Sequence, residues 1–200
     1  MYIIGITGGT GAGKSSALKV LQELGALALD CDEIYHELLE CCSEMVAEMG
    51  ARFNGVSVNG KIDRNNLAEI VWNDPVSLND LNQITHKHVS NEIEQRISSF
   101  AAQGGKVAAV DAIALIESGQ SDSCDMTVGI IAPQEERIKR IMNRDGLSKE
   151  QALSRINAQK PEGFYRENCD YILENVFQTQ SEFEEKCTEF FTNILEKERA

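Results

Sequence analysis

The sequence predicts an α/β fold with a five-stranded parallel sheet and helices on both faces, in three layers. Three observations carry this. Short β-rich apolar runs alternate with longer stretches whose apolar residues recur at helical spacing. The first run leads through a glycine-rich loop straight into a helical pattern. Between the second and third runs, roughly seventy residues break the rhythm and read as a helical insertion.

Taken in order, Tyr2–Thr7 is a buried strand, ended by Thr7-Gly8-Gly9. Ala17, Leu18, Leu21 and Leu24 then recur on one helical face from about Lys14, and Gly25 stops that helix. Ala26–Leu29 is the second strand. A helix from about Asp32 to Met49 turns Ile34, Leu38, Leu39, Met45, Val46 and Met49 inward. Phe53–Ile62 carries Asn-Gly twice and predicts a turn-rich excursion. Asp63-Arg64-Asn65 starts a helix through Trp72. Asp74-Pro75 opens another that runs to Phe100, because Asp caps and Pro suits the first turn.

Gly104-Gly105 ends the insertion. Val107–Asp111 is the third strand and Met126–Ile131 the fourth. A helix follows Pro133 to about Asn143, and Ser148 caps the next, which carries Ala152, Leu153 and Ile156. Tyr171–Leu173 is a fifth, short strand. Phe183, Cys187, Phe190, Phe191 and Leu195 line the last helix.

Composition bounds the function. The chain has 200 residues, 42% hydrophobic and 26% charged, which suits one compact globular unit. Lys plus Arg is 19 and Asp plus Glu is 32, so the net charge is −13. Such a surface repels nucleic acid and anionic membranes except at a local basic site. Aromatics at 6% also disfavour a stacking platform for single strands. No run of apolar residues is long enough for a membrane helix, and the first residues lack a signal-peptide pattern. The six cysteines form no C-x-x-C pair, and the three histidines complete no zinc spacing. Buried thiols in a reducing cytoplasm are the expectation.

The chemistry concentrates in Gly8-Gly9-Thr10-Gly11-Ala12-Gly13-Lys14-Ser15, a full match to the phosphate loop G-x-x-x-x-G-K-[ST]. Glycines let the backbone turn its N–H groups inward as an anion nest. The helix starting at Gly13-Lys14 aims its positive dipole end at the same place. Lys14 reaches the β- and γ-phosphates, and the Ser15 hydroxyl suits Mg²⁺. This makes the loop a cradle for nucleotide phosphates, with Gly8, Gly11, Ala12, Gly13, Lys14, Ser15 and Ser16 as its contacts. Val107–Asp111 is an apolar strand ending in an acid, so Asp111 is placed to hold Mg²⁺ directly or through water. Asp30-Cys31-Asp32 follows the second strand, at the carboxyl side that lines the crevice of such sheets. Asp32 there either orients and deprotonates an acceptor hydroxyl or merely caps the helix after it. The stretch 135–160 holds seven bases against four acids in an otherwise acidic chain. Arg140 and Arg144, four apart, share a helix face and suit a transferring phosphoryl group. Arg137 and Lys139 read as a solvated face.

The ordered set of motifs resembles the dephospho-coenzyme A kinase family. Its pieces are Ile4–Gly9 with Gly11–Ser15, Gly25-Ala26, Leu29–Ile34, Asp63-Arg64 with Leu67, and Ile84-Thr85-His86. Arg140, Arg144-Asp145, Arg155–Gln159 and Asp170–Asn175 complete it. The resemblance implies transfer of the ATP γ-phosphoryl group to the ribose 3′-hydroxyl of dephospho-CoA, the last step of coenzyme A synthesis. It implies a phosphate-loop kinase of three parts: a core at about 1–31, 104–143 and 165–200, a substrate insertion at 32–103 and a lid at 144–164. By the same resemblance Asp32 is the base, and Arg140 and Arg144 are lid arginines near the phosphates. Asn175 lies on the adenine side, while Arg64, His86 and Asp111 join Asp32 on the acceptor side. The chain departs from the family at His86-Lys87, where His-Pro is usual, and at Ile113-Ala114-Leu115-Ile116-Glu117, where Pro-Leu-Leu before a Glu is usual. Ser16 replaces a common Thr.

Two other readings stay open on the residues. A nucleoside-monophosphate kinase would grip its acceptor with bases of the insertion. A regulatory nucleotide switch would turn over slowly, although no base-reading N-K-x-D is present. The expected partners are ATP and dephospho-CoA, without nucleic acid or membrane, in a monomer or weak oligomer.

Overall fold

The computed structural model describes residues 1–72 and 74–197; positions 198–200, the end of the expected core segment, lie outside the described residues. In chain order the elements are β1 (Tyr2–Thr7), α1 (Lys14–Glu23), β2 (Leu27–Asp30), α2 (Cys31–Cys41), α3 (Ser43–Arg52), β3 (Ser57–Val58), β4 (Lys61–Ile62) and α4 (Arg64–Trp72). There follow α5 (Pro75–Ala102), β5 (Val107–Asp111), β6 (Met126–Ile131), α6 (Gln134–Asp145), α7 (Lys149–Asn157), α8 (Glu162–Asn168), β7 (Tyr171–Glu174) and α9 (Gln180–Lys197). They divide into two compact units: Met1–Leu29 with Phe100–Ala200, and Asp30–Ser99.

The first unit is built on a five-stranded parallel sheet in the order β2-β5-β1-β6-β7. β1 pairs with β5 on one side (Gly5 opposite Val110) and with β6 on the other (Gly5 opposite Thr127). Both flanking connections carry helices, as parallel pairing requires. The central strands are buried on both faces, which is why they read as continuous apolar runs instead of alternating ones. Ile4, Ile6, Val128 and Ile130 are fully buried, packed with Ala17 and Leu21 of α1 and Phe183, Cys187 and Phe191 of α9. A separate small cluster of Ile138, Ile141, Ala152 and Ile156 joins α6 to α7. Ser148 opens α7 with a full capping box to Gln151, as its sequence pattern predicts.

In the second unit the helix expected over Asp32–Met49 is two helices. Cys42 leaves helical geometry at φ −92°, ψ 93°. Its N–H closes α2 on Leu38 O, and its sulfur accepts the Met45 N–H that opens α3. The apolar spacing runs through this break unchanged, so periodicity could not reveal it. The turn-rich excursion contains a hairpin, β3–β4, with Val58 opposite Lys61. Asn59 (φ 53°) and Gly60 (φ 76°) form its tight turn. α8, which follows Pro161, was not expected from its short, mixed sequence. Among the described residues no helix is long and apolar enough to cross a membrane. No disulfide joins any of the six cysteines.

Candidate functional site

The site is built around the loop between β1 and α1. Gly13 precedes α1 with φ 116°, a conformation L side chains rarely adopt. A Cβ there would also meet Asn175 Nδ2 at 2.5 Å and the Phe183 ring at 2.9 Å. A Cβ on Gly8 would meet the Ile130 carbonyl oxygen at 2.2 Å, since the loop leaves β1 pressed against β6. Both glycines are therefore required by geometry.

The loop is held by its carbonyls. Arg137 Nε donates to Thr10 O at 2.9 Å. Arg140 Nη1 donates to Gly11 O at 3.2 Å and Ala12 O at 3.3 Å. Asn175 Nδ2 donates to Ala12 O at 2.8 Å. In a planar trans peptide the C=O and the following N–H point opposite ways. Fixing the Thr10 and Ala12 carbonyls on the arginine side thus turns the N–H groups of Gly11 and Gly13 to the other side. That is the arrangement an anion nest needs. The first N–H groups of α1 add to it, lacking partners within their helix.

Asn175 is 4% exposed and fully engaged. Its Oδ1 accepts from Arg140 Nη2 at 3.1 Å, and its own N–H donates to Ile131 O. Arg140 Nη2 also reaches Phe177 O at 3.3 Å. Gln159, beyond the end of α7, closes on Thr10 from both sides. It accepts from Thr10 N at 2.9 Å, donates to Thr10 Oγ1 at 2.6 Å and accepts from Arg137 Nη2 at 2.9 Å. Burial works against the charge on both Arg137 and Arg140 and lowers their pKa.

Lys14 Nζ lies 4.0 Å from Asp111 Oδ1, with Asp111 at the end of β5 and 5% exposed. Ser15, the second residue of α1, is exposed, and Ser16 N–H closes on Gly13 O. The loop residues, Lys14, Asp111, Arg140 and Asn175 thus come together in one place. Arg144 does not join them. It donates to Asp145 through Nε at 2.7 Å and Nη2 at 3.0 Å, and that bond raises its pKa. Arg155 Nη1 binds the same carboxylate at 2.7 Å.

The other predicted residues lie in the second unit. Asp32 is exposed in the first turn of α2, but it is not the cap. Asp30 Oδ1 accepts from Asp32 N at 2.9 Å and Glu33 N at 3.2 Å. The capping alternative for Asp32 is therefore corrected: Asp30, two residues earlier, has the extended backbone that a cap needs. Arg64 begins α4 after the Asp63 cap, and His86 lies on α5; both are exposed.

Arg137 and Gln159 are the residues sequence reasoning missed as parts of the loop. Their signal was Arg137 sharing a face with Arg140, three residues on, but a local charge run gives no sign of which arginine is buried.

The comparisons with known proteins bear on the family. The family model described as Dephospho-CoA kinase matches residues 2–181. A Dephospho-CoA kinase of Leptospira interrogans is 34% identical over 200 residues, covering 98% of this chain and 94% of that one. The crystal structure of TT1252 from Thermus thermophilus superposes with a TM-score of 0.81 at 32% identity, covering 97% of both chains. The dephospho-CoA kinase from Campylobacter jejuni gives 0.69 at 26% identity, with 96% of each covered. Identity at this level along nearly the whole chain, with a family match running from β1 into α9, shows that the chain belongs to the dephospho-CoA kinase family.

Proposed function

We propose that this chain transfers the γ-phosphoryl group of ATP to the ribose 3′-hydroxyl of dephospho-CoA, in the cytoplasm. Family membership carries the choice of acceptor, and the braced phosphate loop with Lys14 supports the choice of donor. Little covalent chemistry is asked of the protein, so positioning and electrostatics supply most of the rate. The loop N–H groups hold the β-phosphate, and Lys14 spans the β- and γ-phosphates. Gly8, Gly11, Ala12, Gly13, Ser15 and Ser16 complete that grip. Arg140 and Asn175 act on ATP through the loop they hold, whereas Arg144 would have to leave Asp145 to reach a phosphate. Asp32 orients the acceptor hydroxyl and accepts its proton; the cap role belongs to Asp30, which leaves the Asp32 carboxylate available. Arg64 and His86, with Asp111, are assigned to the acceptor side.

The Ser15 hydroxyl and Asp111 carboxylate are hard oxygen donors, a set that fits Mg²⁺ when phosphate oxygens and water fill its remaining positions. Bound there, the ion would neutralise charge building on the transferred group. In this reading Asp30–Ser99 corresponds to the acceptor insertion and 144–164 to a lid. We assign the protein no nucleic-acid or membrane partner and a monomeric or weakly oligomeric state.

A coupled assay of ADP release by purified protein with Mg-ATP tests the proposal. Release should depend on added dephospho-CoA and should not respond to nucleoside monophosphates. Release independent of any acceptor would sink it.

A further inference from the structure

The unit Asp30–Ser99 gathers a second set of reactive side chains around Cys42. The Cys42 sulfur accepts the Met45 N–H at 3.5 Å, at the N-terminus of the ten-residue α3. Helix N-termini favour negative charge on such a sulfur. From α5, His88 brings Nδ1 to 3.9 Å from Cys42 Sγ. Its Nε2 lies 2.8 Å from Glu48 Oε2 of α3. Hydrogen bonds from His88 and Lys87 hold the Glu48 carboxyl below its ordinary range, so it is ionised and only accepts. In the neutral imidazole that donates from Nε2 to this carboxylate, Nδ1 turns its lone pair to the thiol. Lys87, the departure from the family's His-Pro, binds the same carboxylate at 2.9 and 3.2 Å. His88 has a side chain only 10% exposed, while Cys42 is half-buried.

A nucleophile beside a base that a third group orients is the arrangement of an activated nucleophile. The geometry points to Cys42 as an activated thiol that exchanges with small disulfides, with His88 as its base and Glu48 as the positioning residue. The charged groups nearest Cys42 in sequence are Glu40, ion-paired to Lys61 of β4, and Glu44 in the first turn of α3; further off, Arg52 pairs with Asp80 and Arg96 with Glu37 and Glu92. Glu40 and Glu44 are acids and oppose the exchange, which the helix end and the imidazole favour. Three of the remaining cysteines are poorly suited: burial pushes Cys124 and Cys169 up to about 11 and Cys187 up to about 12.

The step balances without any further reagent. The Cys42 S–H proton passes to His88 Nδ1, and Sγ attacks one sulfur of a disulfide RSSR. That S–S bond breaks as the Cys42–SR bond forms, and the departing RS⁻ takes the proton back from His88. Cys42 is oxidised and one half of the disulfide is reduced to RSH. None of this depends on the kinase reading.

The test treats the full chain with oxidised glutathione at neutral pH and follows the adduct by intact mass and peptide mapping. One fast adduct should form on Cys42 and reverse with dithiothreitol. Cys42→Ser should lose it and Cys41→Ser keep it. His88→Asn should slow it roughly tenfold or more. Glu48→Ala should slow it as much, and Glu48→Gln, which still accepts from Nε2–H, should recover most of the rate. A fast adduct on any other cysteine overturns the inference. So does a wild-type rate in His88→Asn or in Glu48→Ala.

Discussion

At the scale of single residues, Lys14 and Asp32 separate chemistry from folding. Lys14 faces a buried carboxylate, so its loss has two consequences. Lys14→Ala should cut turnover about 10²–10³-fold, the usual cost of removing one preorganised charge. It should also lower the melting temperature, because Asp111 loses its nearby cation. Lys14→Ala with Asp111→Asn should regain stability but not activity; restored activity would show that Lys14 serves only the fold. Asp32→Asn should keep its melting temperature and ATP binding and lose roughly 10²-fold in turnover. Asp30→Ala gives the converse, a stability loss of about 1 kcal/mol from the missing cap. A fully active Asp32→Asn protein would move the base elsewhere. Gln159 makes two bonds to Thr10 and one to Arg137. Gln159→Ala should therefore raise the KM for ATP more than it lowers thermal stability, which steady-state kinetics and calorimetry together would show.

At the scale of elements, α6 shows how position along one helix sorts like residues. Arg137, Arg140 and Arg144 share a face, yet the loop carbonyls at Thr10, Gly11 and Ala12 lie within reach of the first two only. Arg144, a turn further on, meets Asp145 instead and, with Arg155, ties α6 to α7. Arg144, Lys149 and Arg155 are all exposed tryptic sites. If 144–164 is a lid, a saturating ATP analogue should slow trypsin cleavage across 144–160; unchanged cleavage would count against it. Those Arg contacts hold the Asp145 carboxyl below its usual range. Its contribution is therefore complete above the unfolded carboxylate range and fades as pH falls through the lowered value. Acid should thus loosen α6 from α7. In the main core, Phe191 of α9 is fully buried. Phe191→Ala should cost about 3–5 kcal/mol in denaturant unfolding, as large core truncations do.

At the scale of the whole molecule, stability rests on burial without cross-links, so excess reductant should leave the melting temperature unchanged. Much of this was legible in the chain. The three central strands were evident because they are covered on both faces, and burial writes itself as unbroken apolar runs such as Val107–Val110. The phosphate loop was legible because local backbone geometry demands glycine at fixed spacing. The break at Cys42 was hidden, since a thiol is a weak capping group and the apolar stripe continues across it. The roles of Arg137, Gln159 and Asn175 were hidden for another reason. Each acts on the loop from 127 to 163 residues away in sequence. No local pattern records such pairings. By itself the sequence determined the fold, the loop and the family, because these depend on short-range spacing and periodicity. Only the tertiary structure decided which arginine braces the loop, which aspartate caps α2 and which thiol meets an imidazole, because those outcomes depend on where distant backbone brings each side chain.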